Sequence, residues 1–242
     1  MQYLIGIDDT DNLESRGTGH RARQLAESLS QSGLACALGI TRHQLLVSPL
    51  IPYTSHNSSA CLLLEAQSDR EELIWQACCE FLLRESAPGS DAGLCLAAWE
   101  AVSAQVRAFG LRAKQVVLTQ LEAEQTALDN GLRLQGLTGT HGGVIGALAG
   151  VGLHRAGADG RFLWLPGLRE LSGIHTVAEI CSQGHIASIR PCEGQELSPE
   201  TLVDVGEWVR PVLRNGQAIL FVEERNNEWH ILSKDRIKSL SN

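Results

Sequence analysis

The stretch IGIDDTDNLESRGTGHRARQLAESL, beginning at Ile5, restricts the fold more than any other part of the chain. The apolar run QYLIGI reads as a short strand. Directly after it Asp8, Asp9 and Asp11 crowd together, and Gly17, Thr18 and Gly19 then open a segment where Ala22, Leu25, Ala26 and Leu29 recur at helical spacing. Strand, loop and helix in that order begin a layered α/β structure, and the end of such a strand is where ligand sites form. Strand alternation sends Ile7 and Asp8 to opposite faces, while the turn lets Asp9 and Asp11 swing back beside Asp8. Carboxylates that close repel one another unless a cation or protons intervene. Closely spaced oxygen ligands suit Mg²⁺, which keeps several waters and bridges substrate phosphates. The competing reading is turn chemistry, in which Asp and Asn fill loops routinely, and it fits Asp11 with Asn12 best.

A second glycine turn, GLTGTHGGVIGALAG, places Gly139, Thr140, His141, Gly142 and Gly143 ahead of another helical pattern. Turns of this kind bring backbone amides to a helix N-terminus, where the dipole favours anions such as phosphate. Neither turn is a Walker A loop or a dinucleotide fingerprint. Gly142, Gly146 and Gly150 lie four apart, and a flat strip for close packing explains them equally well. Two loop histidines, His20 and His56, are candidates to donate to phosphate or to carry a phosphoryl group, because neutral imidazole is a nucleophile near neutral pH. His56 lies in YTSHNSS, whose Ser55 and Asn57 would line the acceptor side.

Along the rest of the chain, ACALGIT and SACLLLEA read as strands. A helix capped at Ser68 or Asp69 follows, with Leu73, Ile74, Ala77, Cys78, Phe81 and Leu82 on its apolar face. After the breaker SAPGSDAG the pattern predicts a helix from Asp91 to Phe109, stopped by Gly110. Next come a strand KQVVL, a helix capped by Thr119, a strand LRLQGL, the glycine-led helix and a strand RFLWL, a β-α-β-α-β run of ferredoxin-like type. Beyond Pro166 short strands prevail, with QAILFVEE and EWHILS joined by RNN as a hairpin. The fold class expected is α+β: a two-layer α/β domain over 1–110, a ferredoxin-like domain over 111–170 and a β-rich tail over 171–242.

Composition narrows the function. A formal net charge of −8 speaks against general attraction to nucleic-acid backbones. The seven cysteines form no C-x-x-C pair, which argues against a zinc site and for a reducing, cytoplasmic setting. No apolar run approaches the ~20 residues of a membrane span.

Three segments, GIDDTD, IPYTSHNSSACLLL and GTHGGVIGALAGVGLH before FLWL, resemble the archaeal isoleucine-tRNA 2-agmatinylcytidine synthetases, in the same order over the first 170 residues. The resemblance implies a kinase-like domain that binds ATP and Mg²⁺, followed by a ferredoxin-like domain. Those enzymes phosphorylate a tRNA cytidine, and agmatine then displaces the phosphate. Asp8, Asp9 and Asp11 match the family's acidic ATP-site motif. Anchoring on Gly17 puts His20 at the place of the family's phosphorylatable threonine, with Thr18 the nearest hydroxyl. The family's zinc-ribbon cysteine pairs and tRNA-holding OB-fold have no counterpart here, so a small-molecule acceptor is expected in place of tRNA.

The expectation is therefore an ATP- and Mg²⁺-dependent phosphotransferase or phosphate-activating ligase. Asp9, His20 and His56 are its catalytic candidates, and Asp8, Asp9 and Asp11 its metal ligands. Thr10, Gly17, Thr18, Gly19, Ser55, Asn57, Thr140, His141, Gly142 and Gly143 are its nucleotide-binding candidates. Two alternatives stand beside it: a nonenzymatic nucleotide-binding module, and a haloacid-dehalogenase-type phosphatase with Asp9 as nucleophile.

Overall fold

The computed structural model describes residues 1–51 and 57–241. It is a mixed α/β structure with mostly antiparallel strand pairing, and it divides into two compact units, Met1–Ala156 and Gly157–Asn242. In the first unit β1 (Gln2–Asp8), β2 (Cys36–Gln44), β3 (Ser58–Glu65), β4 (Gly93–Ala98) and β5 (Arg133–Gly136) form a sheet in the order β5-β4-β1-β3-β2. Every neighbouring pair in it is antiparallel. Its helices are α1 (Thr18–Gln31), α2 (Glu71–Glu85), α3 (Ala104–Arg112), α4 (Gln120–Asp129) and α5 (Val144–Ala156).

β1 is the central strand, and its period of two assigns the faces. Leu4 joins a core with Cys61, Cys95 and the apolar residues of α3, α4 and α5. Tyr3, Ile5 and Ile7 are fully buried on the other face, where the Tyr3 hydroxyl reaches the Ser68 carbonyl just ahead of α2. Helices thus cover both faces, three layers where the sequence pattern suggested two. That arrangement requires a sheet apolar on both sides, and LIGI and CLLL supply it.

Two local expectations need correction. The segment from Asp91 to Phe109 is not one helix: Gly93–Ala98 is β4, paired on both edges, and α3 begins only at Ala104. Leu and Ala favour helices in isolation, but here two ladders and burial on both faces override that preference. Gly110 lies inside α3 and meets α5: a Cβ there would stand 2.9 Å from the Ala149 carbonyl oxygen. KQVVL forms no strand, and Val116 and Val117 are about half exposed. Thr119 does cap α4, in a reciprocal capping box with Glu122.

α5 is buried nearly all round, which suits its run of small and apolar residues. It crosses β1 and β4 at backbone contact. A Cβ on Gly6 would stand 1.9 Å from the Ala147 carbonyl oxygen, and one on Gly93 would stand 2.1 Å from the Gly143 carbonyl carbon. The glycine strip is confirmed at two positions, since Gly146 abuts Asp8 and Gly150 abuts Ser59, whereas Gly142 precedes the helix and has space around it.

The second unit holds β6 (Arg161–Trp164), β7 (Ile174–Thr176), α6 (Val177–Gly184), β8 (Ser188–Pro191), β9 (Leu202–Asp204), β10 (Val212–Arg214), β11 (Gln217–Arg225), β12 (Glu228–Ile231) and α7 (Lys234–Leu240). Its strands run β6-β10-β11-β12-β9-β7, with β8 parallel to β11. The RNN hairpin forms with Asn226 and Asn227 at positive φ, the conformation that a tight two-residue turn requires. Leu213, Leu220, Val203, Ile180 and Ile189 anchor this unit's own core.

Gly6→Ala is expected to lower the unfolding free energy by at least about 2 kcal/mol, because the methyl group has no room unless α5 lifts off β1. Gly142→Ala, where the nearest atom would lie 3.6 Å away, should be close to neutral. Urea denaturation compares the two, and equal effects would refute the close-packing account.

Candidate active site

At the C-terminal end of β1 the chain encloses a cavity of about 270 Å³. Its floor is acidic: Asp8, Asp9, Asp11 and Asp91 all line it. One side is apolar, built from Leu45, Leu50 and Ile51 after β2, from Val116, Val117 and Leu118, and from Ile145 at the start of α5. The same cavity takes in Thr18, Asn57, Ser58, Gln120, Thr140, Gly142, Gly143 and Gly146.

Asp8 faces α5 because it shares parity with Leu4 and Gly6. Its carboxylate lies where a side chain on Gly146 would stand, with Oδ2 1.7 Å from the place of that Cβ. Burial pushes its carboxyl up to about 7, and the neighbouring Asp9 charge adds to the rise. Asp9 turns back at φ 51, a left-handed conformation that Asp tolerates better than most residues. Its carboxyl is raised to about 6, first by burial and then by the charges of Asp91 and Asp11. Both carboxyls are raised chiefly by burial and then by acidic neighbours, so a cation placed beside them would favour their ionised forms.

Asp11 and Asp91 have structural engagements as well. Asp11 Oδ1 accepts from the Thr18 amide at 3.2 Å and from the Thr18 hydroxyl at 2.8 Å, which ties the first loop to the start of α1. Asp91 does the same for the second glycine turn: Oδ1 accepts from the Thr140 amide and Oδ2 from its hydroxyl. Asp91 was not foreseen from sequence, where it stood alone in a breaker segment. Among the described residues no three His, Cys, Asp or Glu side chains converge to cage a metal ion by themselves.

The remaining candidates fall into three groups. Gly142 and Gly143 are on the cavity wall, although the Gly143 amide is spent on the Asp91 carbonyl. Asn57 lines the cavity too, while its Nδ2 donates to the Leu46 carbonyl at 2.7 Å. Thr10 and His141 line neither this cavity nor the cleft beside it: buried Thr10 bonds the Thr18 hydroxyl, and His141 packs against Gly136 at φ 67. Ser55 and His56 lie outside the described residues.

Beside the acidic floor opens a second cleft of about 420 Å³, lined by Arg16, Gly17, Gly19, His20, Arg23, Arg42, Ser59 and Ala60. It shares Asp11, Thr18 and Ser58 with the first. His20 is driven toward its neutral form by burial and by the positive charges of Arg16, Arg23 and Arg21. Arg42 is close enough to Asp8 to favour its ionised form.

No family model matches this sequence. The chain is 29% identical over 152 residues to the uncharacterized protein MJ0921 of Methanocaldococcus jannaschii, which covers 63% of this chain and 50% of that protein. A tRNA fluorescent labeling enzyme superposes with a TM-score of 0.55 at 25% identity, over 63% of this chain and 36% of its own. The complex of TiaS with its isoleucine tRNA and ATP gives 0.55 at 24% identity over 63% and 36%. Apo TiaS, a tRNA agmatidine synthetase, gives 0.52 at 23% over 63% and 35%. The chain is thus similar in fold to the agmatidine synthetase over about 63% of its length. It spans about half the length of the curated relative it matches and about a third of these structural neighbours.

Because Asp8 and Asp9 keep their protons to higher pH when folded, the folded state binds more protons than the unfolded one as pH rises from about 4 to about 7, and stability falls through that window. With chelator present, Asp8→Asn and Asp9→Asn are expected to raise the melting temperature at about pH 8 and to change it less at about pH 5. A pH-independent effect of both substitutions would contradict the raised carboxyl pKa values.

Proposed function

We propose that this chain is an ATP- and Mg²⁺-dependent phosphotransferase or phosphate-activating ligase that acts on a small-molecule acceptor rather than on tRNA. The observation that carries the reading is geometric: an apolar slot and a carboxylate floor share one cavity, and an arginine-lined cleft opens onto it at Asp11, Thr18 and Ser58. An apolar base and a phosphate chain carrying a divalent ion match the slot and the floor, and the adjoining cleft leaves room for a second molecule, the acceptor. The neighbour solved with both tRNA and ATP supports the assignment of the nucleotide.

In this reading the kinase-like segment, residues 1–110, supplies the acidic floor and the arginines. Of residues 111–170, expected as a ferredoxin-like domain, the part that lies within the unit Met1–Ala156 supplies Val116, Val117 and Leu118 of the slot and Thr140, Gly142 and Gly143 of the turn. The β-rich tail, residues 171–242, has no assigned part in the chemistry.

The residues present fit Mg²⁺. This ion typically takes one or two carboxylates and fills its remaining positions with water and phosphate oxygen, so Asp8 and Asp9 suffice without a three-residue cage. When bound, it would supply charge neutralisation for the transferring phosphoryl group. Asp8 and Asp9 would hold the ion, with the Asp8 side chain set in the space that the missing side chain of Gly146 leaves. Asp11 fixes the start of α1 through Thr18, so Gly17, Thr18 and Gly19 present a rigid wall to anionic groups. The apolar slot excludes water from the base. His20, kept neutral among arginines, is available to accept a proton or a phosphoryl group.

Calorimetric titration with ATP, with and without Mg²⁺, tests the reading, followed by identification of ADP, AMP or pyrophosphate as product. Asp9→Asn is expected to weaken Mg²⁺-dependent ATP binding by at least about tenfold, as losing one charged ligand should. Unchanged affinity in the Asp8→Asn/Asp9→Asn double variant would remove the proposed centre. Tight binding with no turnover for any acceptor tried would favour the nonenzymatic module.

A further inference from the structure

The arginine-lined cleft deepens the proposed function, on which this inference rests, by restricting the acceptor. Arg16 reaches it from the loop before α1, Arg23 from α1 and Arg42 from β2, with His20 among them. Three arginines, from a loop, a helix and a strand, line one cleft in a chain whose formal net charge is −8. Against them stand Asp11, the one carboxylate among the described lining residues, and Asp8 of the adjoining floor, which lies close to Arg42. Local charge therefore opposes the charge of the molecule as a whole. Such a concentration inside a concave surface raises the local concentration of anions.

Guanidinium groups bind phosphate oxygens in pairs through their planar fork, and several around one cleft suit a dianion better than a neutral hydroxyl compound. The cleft is wider than one phosphate requires, so the ligand has a body as well as a charged end. It opens onto the nucleotide cavity at Asp11, Thr18 and Ser58, where a transferring group would pass. We infer that the acceptor is itself a phosphate-bearing small molecule, anchored by Arg16, Arg23 and Arg42, with its reactive end turned toward the Asp8–Asp9 floor. The same arginines repel agmatine, the cationic amine used by the enzymes this chain resembles, so the shared fold would serve an acceptor of opposite charge.

Inorganic pyrophosphate is the probe, titrated by calorimetry into protein saturated with a nonhydrolysable ATP analogue and Mg²⁺. Pyrophosphate is expected to bind beside the analogue, and Arg16→Gln and Arg23→Gln are each expected to weaken it by about tenfold, the loss typical of one charge-assisted contact. Analogue affinity should change by less than about threefold in both variants, since neither arginine lines the acidic cavity. Exposed Arg16 sits in a loop, so its variant should fold, and a circular dichroism melt checks this. Exclusion of pyrophosphate by the analogue would overturn the inference, because the arginines would then hold the nucleotide's own phosphates. Unchanged pyrophosphate binding in both variants, or agmatine binding that survives saturating pyrophosphate at the same residues, would overturn it as well. Arginine-dependent pyrophosphate binding in a protein that binds no ATP analogue would instead leave the anion cleft standing and refute the nucleotide reading.

Discussion

The contact of α5 with β1 and β4, backbone against backbone, is the constraint on which the rest of this unit depends. It exists only because Gly6, Gly93 and Gly143 carry no side chain where two main chains meet, and Gly146 carries none where the Asp8 carboxylate lies. The close approach sets the height of α5 above the sheet, and that height brings its first turn over the last residue of β1. Asp8 is thereby caught between a strand end and a helix start. Its carboxyl is raised for that reason, and the acidic cavity is a by-product of how tightly the layers close.

Around that junction the two glycine turns are secured by the same device used twice. In each, an aspartate accepts from the amide and the hydroxyl of a threonine: Asp11 from Thr18 and Asp91 from Thr140. Each pair converts a loop that could sample many conformations into one wall of the cavity, at the cost of occupying carboxylate oxygens. Among the described residues no comparable threonine clasp holds Asp8 or Asp9, which separates the carboxylates that shape the site from those left to meet a ligand.

Much of the frame was legible in the sequence, because β1, α1, α4, α5 and the Asn226–Asn227 hairpin each announce themselves through local periodicity, caps or turn residues. Gly93–Ala98 was not, since its Leu and Ala residues carry a helical preference that only pairing with β1 and β5 overrides. The run at Val116 and Val117 looked like a strand for the opposite reason: its β-branched residues serve a cavity wall. Asp8, Asp9 and Asp11 could be found because they are nearly contiguous. Asp91 and Arg42 could not, because tertiary structure alone brings the one to the acidic cavity and the other to the cleft beside Arg16 and Arg23.

Leu45, Leu118 and Ile145 of the apolar slot also pack into the core, but Leu50, Ile51, Val116 and Val117 lie in stretches that belong to no helix or strand. Replacing such residues alters what fits without disturbing the scaffold that positions the acidic groups. In the proposed nucleotide reading, preference for one base over another is therefore the property most open to change, and a designer seeking to retarget it would begin there.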